Sequence, residues 1–259
     1  LVQAATEFLP ISSSGHLILV PRLLGWSDQG LEFDIATNTG TLLAVLAYFR
    51  RDLLAIARDG LRSLRPGSGA AGSPAARLAW AMVLGTIPAG VVGLLAKDWI
   101  SSYGRNPLLI ATTAIVYGVL LAIADRLGTK RDGLERVGPR QGFLIGCAQA
   151  LALVPGTSRS GVTMTAGLGL GLDRTAAARF SFLLSVPIGI LVGAKQALDF
   201  ARGEIVGLSG GTLLIGIGVS AVAGYAVIAA LLAWVRTRPF LVFAIYRVIL
   251  GLFLVAYFS

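Results

Sequence analysis

The chain has 259 residues, 55% hydrophobic and 14% charged, with a net charge of +9 and a mean hydropathy of +0.78. A charged share about half that of an ordinary soluble domain leaves too little polar surface to cover a water-soluble fold. The basic excess would suit nucleic acid on a soluble chain, but here it sits in short connections between apolar runs. That is the pattern of a membrane protein, so no nucleic-acid partner is expected.

Leu1 opens inside an apolar stretch without a preceding methionine, which predicts further residues upstream, and no cleavable signal peptide is legible. Residues 1–25 are apolar but interrupted at Pro10-Ile11-Ser12-Ser13-Ser14-Gly15-His16. The pattern predicts a short helix, a polar loop and a second short helix. Neither arm is long enough to cross a bilayer, so the segment reads as a re-entrant hairpin with its tip buried in protein. Three spanning helices are expected next: Phe33–Phe49, Leu78–Ala96 and Leu108–Ala124. Gly67-Ser68-Gly69 marks the connection after the first of them as flexible.

A second interrupted stretch, residues 142–172, breaks at Pro155-Gly156-Thr157-Ser158-Arg159-Ser160-Gly161. Three more spans follow: Phe180–Leu198, which contains Pro187, then Leu208–Val235 and Phe240–Phe258. The single cysteine, Cys147, reads as a packing residue. Arginines crowd the connections after the first, third and fifth spans, whereas the alternate ones carry only Lys97 and Arg105, then Arg202. That bias places the rich connections on the cytoplasmic side.

The two broken stretches align without gaps. Gln3-Ala4 matches Gln149-Ala150, Ser12 matches Ser158, Ser14 matches Ser160, Gly15 matches Gly161, and Leu24-Gly25 matches Leu170-Gly171. Three crossings after each hairpin turn the second half upside down relative to the first. The expected fold is an all-α integral membrane protein with an inverted-topology repeat: about six transmembrane helices plus two re-entrant hairpins, in a single membrane domain. Repeat one covers residues 1–127 with its hairpin at 1–25, and repeat two covers 141–259 with its hairpin at 142–172.

Polar residues inside apolar segments are costly and need partners or a wet cavity. Glu7 and Arg159 could satisfy each other as a simple ion pair. The two serine loops point further. Each precedes a helix, whose first turn offers free N–H groups and a partial positive charge. Ser12, Ser14, Ser158, Ser160, Gly161 and Thr163 add donors or close approach around the same points, and the fork of Arg159 suits a phosphoryl group. His16, the single histidine, ends the first loop beside Ser13 and is the expected base for it. Gln3 and Glu7 lie four residues apart on one helix face. Glu7 could orient His16, act as a base itself, or hold a divalent cation against phosphate, with Gln3 beside it.

Over essentially its whole length the chain resembles the bacterial undecaprenyl pyrophosphate phosphatase family, also called the bacitracin-resistance family. The residues that carry the likeness are Gln3-x-x-x-Glu7-Phe8-Leu9-Pro10-Ile11-Ser12-Ser13-Ser14-Gly15-His16 and Pro155-Gly156-Thr157-Ser158-Arg159-Ser160-Gly161-Val162-Thr163. Phe180-Ser181-Phe182-Leu183-Leu184 and Phe243-Ala244-Ile245-Tyr246-Arg247 add to it. The resemblance implies removal of the terminal phosphate of undecaprenyl pyrophosphate, in the bacterial inner membrane, at a site facing the outer side. It also implies dependence on a divalent cation, Mg²⁺ or Ca²⁺. By that resemblance Glu7, Ser13, His16 and Arg159 are the catalytic residues. Gln3 stands where the family carries glutamate or glutamine, and glutamine removes one metal-binding charge. A second class of lipid phosphatase uses similar Ser-Gly-His and Ser-Arg stretches but needs another histidine, which this chain lacks.

The expected partners are a prenyl pyrophosphate lipid and the membrane, and the sequence leaves both a single chain and a homodimer open. The alternative to a phosphatase is a transporter or flippase of polyprenyl phosphate lipids, which would need the phosphate donors but no base beside a nucleophile. A purely structural role would leave Glu7, His16 and Arg159 without a use.

Overall fold

The computed structural model describes residues 1–25, 31–96, 106–202 and 210–258. Over these residues the chain is helical, without a β-strand. In the first half run α1 (Val2–Phe8), α2 (Ser13–Leu24), α3 (Leu31–Tyr48), α4 (Arg50–Ser63), α5 (Pro74–Leu95) and α6 (Pro107–Leu127). In the second run α7 (Pro139–Ala150), α8 (Arg159–Gly169), α9 (Arg174–Ala201), α10 (Gly210–Val235) and α11 (Leu241–Phe258).

Local sequence explains several boundaries. Pro74, Pro107 and Pro139 occupy first helical positions, where the missing N–H costs nothing. Ser73 and Asn106 cap their helices by accepting from the N–H groups of Ala76 and of Leu108 and Leu109. Both interrupted stretches are helix, loop, helix as expected, although α7 begins three residues before the expected start at residue 142.

Among the described residues, five helices are long and apolar enough to cross a membrane: α5, α6, the stretch Arg174–Gln196 of α9, α10 and α11. The chain is a multi-pass membrane protein. Pro187 lies inside α9, as expected. α3, the sixth expected span, is helical over 18 residues, but Glu32, Asp34 and Asn38 make its first half polar, and it is not among the five. Lys97, Arg105 and Leu208 lie outside the described residues.

Two expectations are corrected. The connection after α3 is largely helix, because Leu53, Ile56 and Gly60 recur at helical spacing and pack toward the protein. Cys147 is exposed on α7, beside the exposed Phe143 and Leu144, rather than packed.

α1 packs on α10, and α7 on α5; α3 also lies on α10, and α6 on α11. α8 sits against α6, α7 and α9. The core gathers where α1, α3 and α9 meet, with Phe8 edge-on to Phe182 at 5.5 Å and Phe49 at 6.3 Å from Phe182. Two ion pairs tie helix ends together. Asp125 of α6 accepts from Arg174 at 2.6 Å and from the Phe240 N–H at 2.9 Å, and Asp52 of α4 pairs with Arg179 of α9 at 2.9 Å.

Candidate active site

The two serine loops share one backbone design. Ser12 and Ser158 each hold a left-handed φ, 76° and 71°, uncommon for residues other than glycine. Each caps the helix that follows it: the Gly15 N–H donates to Ser12 Oγ at 3.3 Å, and the Gly161 N–H to Ser158 Oγ at 3.1 Å. Gly156 must be glycine. It has φ +85°, and a Cβ there would lie 2.1 Å from Thr113 Oγ1. A Cβ on Gly161 would lie 2.6 Å from Arg247 Nη1.

The loops meet. Ser160 donates from the second to the Leu9 carbonyl of the first at 3.0 Å. Arg247 of α11, with 0% of its surface exposed, fastens both. It donates to the carbonyls of Pro10, Gly156 and Thr157 at 3.3, 2.9 and 2.8 Å, and to those of Thr113 and Ala114 on α6. A charge buried among apolar helices is tolerable only with such a full set of partners.

The chemistry converges on Glu7. Its Oε2 accepts from the Ser13 hydroxyl at 2.6 Å and from Gln3 Nε2 at 3.2 Å, and its Oε1 pairs with Arg159 Nη2. Gln3 Nε2 also donates to Asn38 of α3. Two polar atoms here are buried without a protein partner, Arg159 Nη1 and Gln3 Oε1. Buried polar atoms generally find a partner, and both lie beside Glu7, where a bound anion or cation could meet them. Glu7, Asn38 and Arg159 border a cavity of about 190 Å³ between α1, α3 and α9, whose walls include Leu42, Val45, Ile188 and Val192. An ion pair bordered by apolar side chains suits a head group with a hydrocarbon tail.

The hydrogen bonds of His16 go elsewhere than to Ser13. Its Nδ1 lies 2.7 Å from the Ser12 carbonyl, and its Nε2 lies 2.6 Å from the Tyr246 hydroxyl. A carbonyl can only accept, so Nδ1 carries the proton and Nε2 accepts from Tyr246, an assignment made from the network. The hydroxyl of Ser13 faces a carboxylate instead. Ser160 and Thr163 do not face the cavity either: Ser160 joins the loops, and Thr163 bonds the Arg159 carbonyl at 2.7 Å and Ser181 at 2.7 Å. The Ser158 hydroxyl serves as a cap and sits 3.2 Å from Ser160 Oγ. Ser14 lies in the first turn of α2, and its side chain lies outside the described ones.

The sequence reading missed Arg247, Tyr246 and Asn38 as site residues. Asn38 had a signal as a polar residue in an apolar run, and Tyr246-Arg247 stood in a family-like stretch.

The profile of the family described as bacitracin resistance protein BacA matches residues 1–253. The chain is 50% identical over 257 residues to an undecaprenyl-diphosphatase of Magnetococcus marinus, covering 99% of this chain and 95% of that one. It is 49% identical to undecaprenyl-diphosphatase 2 of Stutzerimonas stutzeri, covering 100% and 96% of the two chains. It is 47% identical to an undecaprenyl-diphosphatase of Nitrosococcus oceani, with the same coverage. With two matched serine loops joined through Glu7 and a profile match along nearly its whole length, the chain belongs to the bacitracin resistance protein BacA family.

Proposed function

We propose that the protein removes the terminal phosphate of undecaprenyl pyrophosphate and so releases undecaprenyl phosphate, the lipid carrier used again in cell-wall synthesis. The family and its relatives' names support the reaction. The observation that carries it is Glu7, which holds a serine hydroxyl on one carboxylate oxygen and a guanidinium on the other, and lines a cavity whose wall is largely apolar.

The substrate's phosphates displace Glu7 from Arg159 and engage the second guanidinium nitrogen as well, a two-point grip suited to a phosphoryl group. Glu7, freed from that pair, takes the proton of Ser13, or of a water held in its place, as the oxygen attacks the terminal phosphorus. The bridging P–O bond breaks and the monophosphate lipid leaves. Where Ser13 attacked, a water then gives a proton to Glu7, once that residue has passed its own to the departing lipid or solvent, and breaks the P–Oγ bond, releasing phosphate and restoring Ser13. The N–H groups opening α2 and α8 supply fixed donors for the developing charge. His16 acts as a positioning residue: it holds the carbonyl of Ser12, which caps α2 beside Ser13.

A divalent cation, magnesium or calcium, fits this site. Among the described residues there is no cluster of three His, Cys, Asp or Glu. The Glu7 carboxylate and the unpartnered Gln3 Oε1 are nevertheless the oxygen donors that a hard cation uses together with substrate phosphates. When bound, the cation neutralises charge on the phosphoryl oxygens.

The reading includes two inverted repeats, residues 1–127 and 141–259, with the loops as tips of re-entrant hairpins. The matched caps at Ser12 and Ser158 support it, as does the reciprocal packing of α1 on α10 and of α7 on α5. It also places the chain in the bacterial inner membrane with its basic connections toward the cytoplasm and the cavity open to the outer side. The repeat favours a second reading, a carrier of polyprenyl phosphate lipids.

Phosphate release from undecaprenyl pyrophosphate by the purified protein in detergent with magnesium separates the two. Release by the parent, with loss in Arg159→Ala and His16→Ala, is expected. No release by the parent, alongside lipid movement in reconstituted vesicles, would establish the carrier instead.

A further inference from the structure

The basic helix α4 has an apolar arc wider than the protein covers. Leu53 and Ile56 pack on the core, and Gly60 faces Ala79 of α5. Leu54 and Leu61, on the adjoining arc, are 71% and 68% exposed, and Leu64 just past the helix is exposed too. Along the next arc lie Arg51, Arg58 and Arg62, with Arg65 just past the helix, all exposed, and Arg58 also pairs with Asp59 at 2.8 Å. Helical spacing therefore sets an uncovered leucine stripe directly beside an arginine stripe.

The position of α4 is fixed by the fold. It follows α3 after the single residue Phe49, and Asp52 at its start pairs with Arg179 of α9. At its far end Ser63 accepts from the indole N–H of Trp80 at 3.0 Å, and Trp80 lies in the second turn of the spanning helix α5. A half-exposed tryptophan near the end of a span is the usual mark of the membrane–water boundary.

We propose that α4 is a membrane-surface helix that docks on anionic phospholipid head groups, with Leu54, Leu61 and Leu64 at the acyl boundary and Arg51, Arg58, Arg62 and Arg65 on the lipid phosphates. An exposed apolar stripe edged by arginines, at the level set by Trp80, is the composition that lies in an anionic leaflet. The occupant is lipid rather than a second copy of this chain, because α4 would meet itself with like charge. The inference is independent of what the cavity does.

The test uses the full-length protein in nanodiscs of phosphatidylcholine with one-third phosphatidylglycerol. Cys147 is replaced by serine, and an environment-sensitive dye is attached at Leu61→Cys or, as a water-exposed reference, at Ser68→Cys. The dye at 61 should emit to the blue of the dye at 68. Brominated phosphatidylglycerol should quench it more than brominated phosphatidylcholine, with a preference that falls about fivefold for each arginine neutralised in R58Q, R62Q and R65Q. Water-like emission at 61, or equal quenching by the two lipids, would overturn the proposal. So would disulfide-linked pairs of Leu61→Cys chains with no quenching by either lipid, which would assign the stripe to a second copy.

Discussion

The two serine loops begin from nearly the same backbone and end in different chemistry. Each is entered by a short helix, capped by a serine of positive φ, and continued by a helix whose third residue is a glycine that donates to that cap. The first carries Ser13 and His16 and faces Glu7, which on the proposed reading attack, position and take the proton in turn. The second carries Arg159, and its other hydroxyls do structural work: Ser160 bonds the first loop, Ser158 caps α8 and Thr163 bonds Ser181 of α9. A loop built to aim helix dipoles can thus serve for binding in one copy and for reaction in the other, by side-chain changes at few positions.

Substitutions can break this division of labour. The largest effect is expected on the reactive side. Glu7→Gln keeps the shape but removes the base, so kcat for phosphate release should fall by about 10² to 10⁴. On the binding side, Arg159→Ala should cost about 10² to 10³ in kcat/KM, and lysine should restore only part because it lacks the planar fork. Arg247→Met tests the clamp common to both loops. Stranding carbonyls on Pro10, Gly156 and Thr157 should cost about 3 kcal/mol or more, read as a lower midpoint of thermal unfolding in detergent. The smallest change is expected from Tyr246→Phe, which removes one hydrogen bond to His16 and should lower kcat by about two- to tenfold with unfolding unchanged.

Much of this was legible in the sequence. Pro10 to His16 and Pro155 to Gly161 interrupt apolar runs too short to span, so the helix–loop–helix pattern follows from breakers and length. The pairing of the loops followed from their matched serines and glycines. What escaped was three-dimensional. Ser13 and His16 are neighbours in sequence, which suggested a nucleophile and its base. The start of α2 instead directs Ser13 back to Glu7 on α1, while His16 finds Tyr246, 230 residues away. α4 was hidden because a search for apolar runs passes over a helix rich in arginine. Arg247 lay inside an expected span and a family-like stretch but was given no role, although a lone arginine among apolar residues signals a buried one.

The central claim is that one carboxylate joins the reactive loop to the binding loop. A double-mutant cycle with Glu7→Gln, Arg159→Ala and the pair, read as kcat for phosphate release from undecaprenyl pyrophosphate, tests it most directly. The account predicts strong coupling, with the double variant no slower than about the worse single one. Losses that simply multiply would mean that Glu7 and Arg159 act apart, and would contradict it.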